Sequence, residues 1–168
     1  HVIARSVAWH WPCSRVRLYA NACFRRAFYT SSDWAFHQKM GVLDTGGERK
    51  SLRTLIKEFD CETPIPPAAQ TECFYALASQ ATVWFSAPYD CGGASSTANR
   101  YACIDGVARG SVSVSVKAGD NPDRSTCTRA TQNGTLVPVS WCISRIDFYQ
   151  READAGEVPG TGREGLQW

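Results

Sequence analysis

The sequence has few of the motifs that signal catalysis or cofactor binding. It contains no P-loop, no Gly-x-Gly-x-x-Gly, no His-Glu-x-x-His and no EF-hand loop, so no motif points to a nucleotide, zinc or calcium site. Gly-x-Ser-x-Gly is also missing, which removes the signature of an α/β serine hydrolase. No apolar run approaches the ~20 residues that span a bilayer. We therefore expect no catalytic residue, no cofactor, no metal and no membrane segment.

Histidine is scarce, and this limits acid–base chemistry. The three histidines are His1, His10 and His37. A secreted ribonuclease needs an acid and a base of matched pKa, together with cations that stabilise phosphate. His37, Glu58 and an arginine (Arg15 or Arg17) supply these groups on paper, but no spacing motif joins them. A ribonuclease-like toxin therefore stays as the alternative to a protein without enzymatic activity.

Closely spaced cysteine pairs of the Cys-x-x-Cys type are missing, although cysteine itself is abundant. An even number of scattered cysteines favours disulfides over zinc. A disulfide framework implies an oxidising compartment, so we expect a mature secreted chain whose leader has been removed. Spacing alone leaves 105 possible pairings open. The eight cysteines are Cys13, Cys23, Cys61, Cys73, Cys91, Cys103, Cys127 and Cys142.

The chain has no strong excess of either charge, since its formal net charge is +2. Basic residues nevertheless gather near the N-terminus, where Arg15, Arg17, Arg25 and Arg26 are interleaved with aromatic residues. Arginine and aromatic side chains are enriched at protein-binding hot spots and at nucleic-acid surfaces. Secretion and near-neutral charge favour a protein partner, so these four arginines are the predicted partner-binding residues and no nucleic acid is expected.

Alternating residues indicate several β-strands. The residues from Cys13 to Tyr19 alternate between two faces, and Ser111–Lys117 alternates strictly between serine or lysine and valine. Residues 82–85 and 137–149 are also predicted to be strands, and Asn133-Gly134 is the favoured turn of a hairpin between residues 126–131 and 136–141. The same Asn133 begins an Asn-x-Thr pattern and is a predicted glycosylation site.

Three segments are predicted to be helical: residues 21–30, residues 48–59 and a helix that begins near Ala68. Residues 119–123 are predicted to form a turn. The resulting fold class is α+β, a disulfide-linked antiparallel sheet of about four strands with two or three helices packed to one side. Residues 1–150 form a single domain, residues 151–168 an irregular tail, and the molecule is expected to be a monomer. No internal repeat is evident.

The size, the eight cysteines and the run Arg15-Val16-Arg17-Leu18 resemble the LARS (Leptosphaeria avirulence and suppressing) family of secreted fungal effectors. The family places a tryptophan just before the first arginine, whereas this chain has Ser14 there. The resemblance implies a disulfide-bonded antiparallel sheet flanked by helices and no enzymatic activity. It also implies a virulence role in the plant apoplast, with entry into host cells left open. The implied partner is a host plant protein. The resemblance also implies that plant resistance proteins recognise the effector, or that the effector masks recognition by these proteins.

Overall fold

The computed structural model of the chain describes residues 13, 20–28, 61–62, 67–85, 89–132 and 136–156. Every regular element in these ranges is a helix, and no described residue lies in a strand. The predicted α+β fold with an antiparallel sheet is therefore wrong for this part of the chain. The elements are α1 (residues 20–28), α2 (Pro67–Phe85), a short 3-10 helix (Cys91–Gly93), α3 (Thr97–Ala118), α4 (Ser125–Thr131) and α5 (Val139–Asp154).

The strand predicted at residues 111–117 lies inside α3, and burial explains the error. Serine and valine side chains of this segment are buried on several faces of the helix, so no single apolar stripe reveals the helical period. A buried serine is tolerated in a helix when its hydroxyl bonds to the carbonyl one turn earlier. Ser115 does this, donating to the carbonyl oxygen of Ser111 at 3.1 Å. The alternation therefore reflects composition and not an extended backbone.

The other predicted strands that fall on described residues are also helical. Residues 82–85 form the last turn of α2, residues 126–131 belong to α4, and most of residues 137–149 belongs to α5. In α5 the residues Cys142, Ile146 and Tyr149 are buried, and their spacing of four and three is that of a helix. The alternation at Val139, Trp141 and Ile143 coexists with this stripe, which is why the sequence suggested a strand.

Two predicted helices are confirmed within the described ranges. Residues 21–28 are helical, and a helix begins at Pro67, next to the predicted start at Ala68. The turn predicted after α3 is also confirmed, because Gly119 ends the helix with φ +74°. Of the strand predicted from Cys13 to Tyr19, Cys13 is helical and residues 14–19 lie outside the described residues, as does the helix predicted at 48–59. Of the irregular tail predicted at residues 151–168, residues 151–154 belong to α5, and those from residue 157 lie outside the described ranges.

Helices α2, α3 and α5 all run in the same direction. Asn99 near the start of α3 donates to Gln70 near the start of α2, and further along Gly110 lies against Ser79. The contacts between α3 and α5 show the same direction. Tyr101 contacts Trp141 near the start of both helices, and Asp105 contacts Arg145 four residues further along each helix. The segment after α2 must therefore return to the start of that helix. Ser95 confirms this return, since its backbone N–H donates to Glu62 just before α2 at 2.7 Å.

All eight cysteines form disulfides, as predicted, and each bonds to its neighbour in the sequence. The separations are 10, 12, 12 and 15 residues, with Cα–Cα distances of 5.3 to 5.7 Å. In the chain-entropy model a loop of about 15 residues stabilises the fold by roughly 3 kcal/mol. Four disulfides are consistent with a secreted protein. The pairs are Cys13–Cys23, Cys61–Cys73, Cys91–Cys103 and Cys127–Cys142.

The centre of the fold is the contact between α2 and α3, which depends on two glycines. A Cβ atom built on Gly110 would lie 2.6 Å from the carbonyl oxygen of Ser79 and 2.7 Å from Cβ of Thr82. A Cβ atom on Gly106 would overlap the carbonyl group of Tyr75. Real Cβ atoms do not approach other atoms this closely, so only glycine lets the two backbones come together at these positions.

Alanine at Gly106 or Gly110 is expected to destabilise the protein by about 1–3 kcal/mol, because the added methyl group separates α2 from α3. Helix propensity alone favours alanine by about 1 kcal/mol, so a loss of stability isolates the steric effect. Gly93→Ala is the control, since no atom lies within 4 Å of its added Cβ. Chemical denaturation measures all three variants. A Gly110→Ala variant as stable as Gly93→Ala would contradict the close helix contact.

Candidate functional site

A connected group of polar side chains with a buried centre lies between four helices, and we call it the arginine–tyrosine cluster. It contains three arginines, two tyrosines and two carboxylates. Its members come from α1, α2, α3 and α5, so it lies where these helices meet. They are Arg25, Glu72, Tyr75, Asp105, Arg109, Arg145 and Tyr149.

Two tyrosines from α2 and α5 form the middle of the cluster. The hydroxyl groups of Tyr75 and Tyr149 lie 3.2 Å apart and share a hydrogen bond. Arg109 donates from Nη1 to the Tyr75 hydroxyl at 3.3 Å, and Arg145 donates from Nη2 to the Tyr149 hydroxyl at 3.2 Å. Both tyrosines and Arg109 are buried. The arrangement thus links α2, α3 and α5 through a continuous chain of hydrogen bonds.

An ion pair closes the cluster at each end. Arg25 of α1 binds Glu72 of α2 through two hydrogen bonds of 2.5 and 3.3 Å, and its guanidinium lies 4.2 Å from the centre of the Tyr75 ring. Arg145 of α5 binds Asp105 of α3 in the same two-bond manner, with distances of 2.6 and 3.5 Å. Such paired guanidinium–carboxylate contacts fix orientation as well as charge. Each carboxylate is therefore committed to an arginine on another helix.

Burial decides the protonation of the two tyrosines. It raises the pKa of Tyr75 and the pKa of Tyr149 above the usual 10, although the neighbouring arginines act in the opposite direction. Burial also opposes the charge of Arg145, but its hydrogen bond and charge interaction with Asp105 outweigh this and raise the pKa of Arg145. The tyrosines thus stay neutral and the arginines stay charged over the physiological range. A general acid or base needs a pKa near the working pH, which these groups do not have.

A shallow groove lies near the C-terminal ends of α2 and α3. Its volume is about 410 Å³, and its lining combines apolar side chains with one lysine. A single cation gives the groove no acid–base pair. The lining residues are Val83, Trp84, Val114, Lys117 and Ala118.

The predicted partner-binding arginines have different positions. Arg25 and Arg26 lie on the exposed side of α1, but Arg25 is engaged with Glu72 and Tyr75 and so joins two helices. Arg15 and Arg17 lie outside the described residues. The predicted glycosylation site Asn133 and the ribonuclease residues His37 and Glu58 lie outside them as well. The partner-binding role of the arginines therefore stays a prediction.

The sequence analysis did not identify most of the arginine–tyrosine cluster. Asp105 and Arg109, like Arg145 and Tyr149, are spaced four residues apart, the spacing at which side chains on one helix face meet. This signal is readable only once the segments are known to be helices. The segment of Arg145 and Tyr149 was read as a strand, which places residues four apart about 13 Å from each other along the chain.

Within the described ranges, no three or more histidine, cysteine or acidic residues are grouped so that they could hold a metal ion. None of the described helices is both long enough and apolar enough to cross a membrane. The fold and the cluster define this part of the chain as an all-helical, disulfide-rich protein. Comparison of the chain with protein-family models, curated proteins and solved structures finds no match.

The two tyrosine hydroxyls are expected to be energetically coupled. Tyr149→Phe should cost about 1–3 kcal/mol, because the hydroxyl of Tyr75 and the guanidinium of Arg145 each lose a buried partner. Tyr75→Phe should cost a similar amount, and the double variant should cost less than the sum of the two. The measurement is a double-mutant cycle by chemical denaturation. Tyr101→Phe is the control, since Tyr101 packs by its ring against Trp141. Additive losses would contradict the coupling.

The raised pKa values also predict loss of stability in alkali. Below the ordinary tyrosine pKa of about 10 the folded and unfolded chains are both protonated, so the contribution of Tyr75 and Tyr149 is complete. Above it the unfolded chain loses protons first, so the free energy of unfolding falls as the pH rises from about 9 to 11. Denaturation across this range should show a smaller fall in the Tyr75→Phe/Tyr149→Phe variant. Equal falls in the variant and the wild type would contradict the assignment.

Proposed function

We propose that the protein is a secreted, non-enzymatic effector that acts by binding another protein, and that Leu136 is its main anchor. The observation that carries this proposal is the conformation of Leu136. Its side chain is 80% exposed, and its backbone has φ +59°. Leucine rarely adopts this left-handed conformation, which costs roughly 1–2 kcal/mol for residues other than glycine. Strain of this kind persists where the surrounding structure enforces it, often at binding sites.

The described residues that follow Leu136 are anchored in the fold. Val137, the next residue, is buried in the core, and Pro138 precedes the first turn of α5 and accepts hydrogen bonds from it. The disulfide Cys127–Cys142 joins α4 to α5 on either side of this connection. An apolar side chain is therefore presented next to a segment anchored in the core, which lowers the entropy lost when a partner binds.

The chemistry near Leu136 defines the kind of partner. No Asp, Glu, Lys or Arg occurs between Arg129 and Arg145, although charged residues make up 20% of the chain. Val139, in the next turn, is also exposed. The centres of protein interfaces are depleted of charge and enriched in apolar anchors. The matching partner is a protein with an uncharged apolar pocket.

The proposal takes this partner to be a host plant protein, which is what the LARS resemblance implies. The sheet implied by the LARS resemblance is absent from the described residues, so the fold gives that resemblance no support. Support for a binding role comes from the exposed side chain of Leu136. It also comes from the arginine–tyrosine cluster, because its charged groups pair with one another between helices instead of forming a catalytic acid–base pair. The ribonuclease-like alternative stays a prediction, because its residues lie outside the described ranges.

Removing the Leu136 side chain is expected to weaken the response of leaf tissue without loss of stability. Purified protein is infiltrated at graded doses into plants that carry different resistance genes. Leu136→Ala and Leu136→Gly should raise the dose for a half-maximal response about tenfold or more, as for a binding hot spot. Leu136→Met keeps an apolar side chain of similar size and should act like the wild type. Thermal unfolding should show Leu136→Gly to be at least as stable as the wild type, because glycine relieves the backbone strain.

Two results would contradict the proposal. A wild-type protein that produces no response in any plant of the panel would count against the effector function. A full response to both Leu136→Ala and Leu136→Gly would leave the effector function standing and remove Leu136 as its anchor.

A further inference from the structure

We propose that the disulfide Cys13–Cys23 is a thiol-exchange site, which small anionic thiols such as glutathione open while the other three disulfides stay closed. The structure describes all eight cysteines, so their environments can be compared directly. This inference concerns the chemistry of the isolated protein and does not depend on the proposed partner.

Accessibility separates this disulfide from the others. Seven of the eight cysteines are at most 2% exposed, and Cys23 is the exception, being only partly buried. A thiolate must reach a sulfur atom to attack it, so access limits the rate of exchange. Cys13 is buried, which makes Cys23 the point of attack and Cys13 the leaving sulfur. The other three disulfides have no partly exposed cysteine.

Local charge favours the same disulfide. Arg25 and Arg26 follow Cys23 by two and three residues on α1. Glu72 neutralises Arg25, so these three side chains together carry a net charge of +1. Positive side chains attract an anionic thiol toward Cys23. Two of the other disulfides are flanked by carboxylates instead, which repel such a reagent. These carboxylates are Glu62 next to Cys61 and Asp90 next to Cys91, whereas Glu72 and Asp105 are neutralised by Arg25 and Arg145.

Helix α1 has contacts that hold it in place when the disulfide is open. Phe24 and Phe28 of α1 are buried in the core, and Arg25 binds Glu72 of α2. Burying a phenylalanine side chain contributes about 1.5–3 kcal/mol, so these contacts are comparable with the stabilisation from one disulfide. Opening Cys13–Cys23 therefore frees residue 13 from α1 and leaves the core closed.

The exchange proceeds in two balanced steps. A glutathione thiolate attacks Sγ of Cys23, a mixed disulfide forms there, and the Cys13 sulfur leaves as a thiolate that takes a proton from water. A second glutathione thiolate then attacks the glutathione sulfur, which releases Cys23 as a thiol and produces glutathione disulfide. Two protein sulfurs are reduced and two glutathione molecules are oxidised. Such a site senses the passage of a secreted protein into a reducing compartment.

The test is partial reduction of the folded protein with glutathione, followed by alkylation and peptide mass spectrometry. Cys13 and Cys23 are expected to be labelled at least about tenfold faster than the other six cysteines. Cysteamine, which carries a positive charge, should open the same disulfide more slowly than glutathione does at equal thiolate concentration. A mixed disulfide with glutathione should be found on Cys23 and not on Cys13.

Matched variants separate the effects of charge and access. Arg26→Gln should slow the reaction of glutathione at Cys23 and leave that of neutral 2-mercaptoethanol nearly unchanged. Arg129→Gln removes an arginine two residues after the buried Cys127 and should change nothing at that cysteine. Simultaneous labelling of all four pairs, or earlier labelling of another pair, would overturn the proposal. An equal response to glutathione and cysteamine would remove the role of charge.

Discussion

The approach of α2 to α3 without intervening side chains is the constraint on which the rest of the fold depends. Gly106 and Gly110 let the two backbones come within contact distance, and most residues of both helices are buried. The two helices run in the same direction, as does α5, which aligns their dipoles unfavourably at a cost of tenths of a kcal/mol to about 1 kcal/mol. Close packing offsets this cost, because atoms in contact across the interface gain dispersion attraction that a looser interface would lack.

The cysteine count alone predicted that the cysteines form disulfides. The pairing pattern explains how neighbouring helices can run parallel. A parallel pair needs a connection that returns along the first helix, and Cys91–Cys103 and Cys127–Cys142 each fasten such a returning segment to the first half of the helix that follows. Cys73 and Cys103 are each the seventh residue of their helix, and Cys142 is the fourth. In every pair the second cysteine is followed directly by Phe or Ile, and the third residue after that Phe or Ile is apolar.

Helical structure was predicted correctly for α1 and for the start of α2, but not for α3, where polar and apolar residues are buried together. Helix α1 exposes one face, and its period was recognised over residues 21–28. Helix α3 buries serines and valines together, and the hydroxyl of Ser115 is satisfied by the backbone of its own helix. Pattern reasoning assumes that a polar residue marks a solvent-facing position. That assumption fails for a small polar residue whose hydrogen-bond partner lies inside the protein. For this reason a strand was predicted where the structure has α3.

The arginine–tyrosine cluster follows from the same arrangement of helices. The contact between α2 and α3 is rich in alanine, glycine and serine, and such a contact packs closely but discriminates poorly between neighbouring helix registers, since small side chains interdigitate in several ways. Hydrogen-bonded polar groups restrict the choice, because a shift by one residue would leave Tyr75, Tyr149 and Arg109 buried without their present partners. Of this cluster the sequence analysis named only Arg25, and it assigned that residue to a partner, since an ion pair with Glu72 on another helix carries no local sequence signal. Internal polar groups therefore specify the packing, and recognition by other molecules must use the side chains that remain outside it.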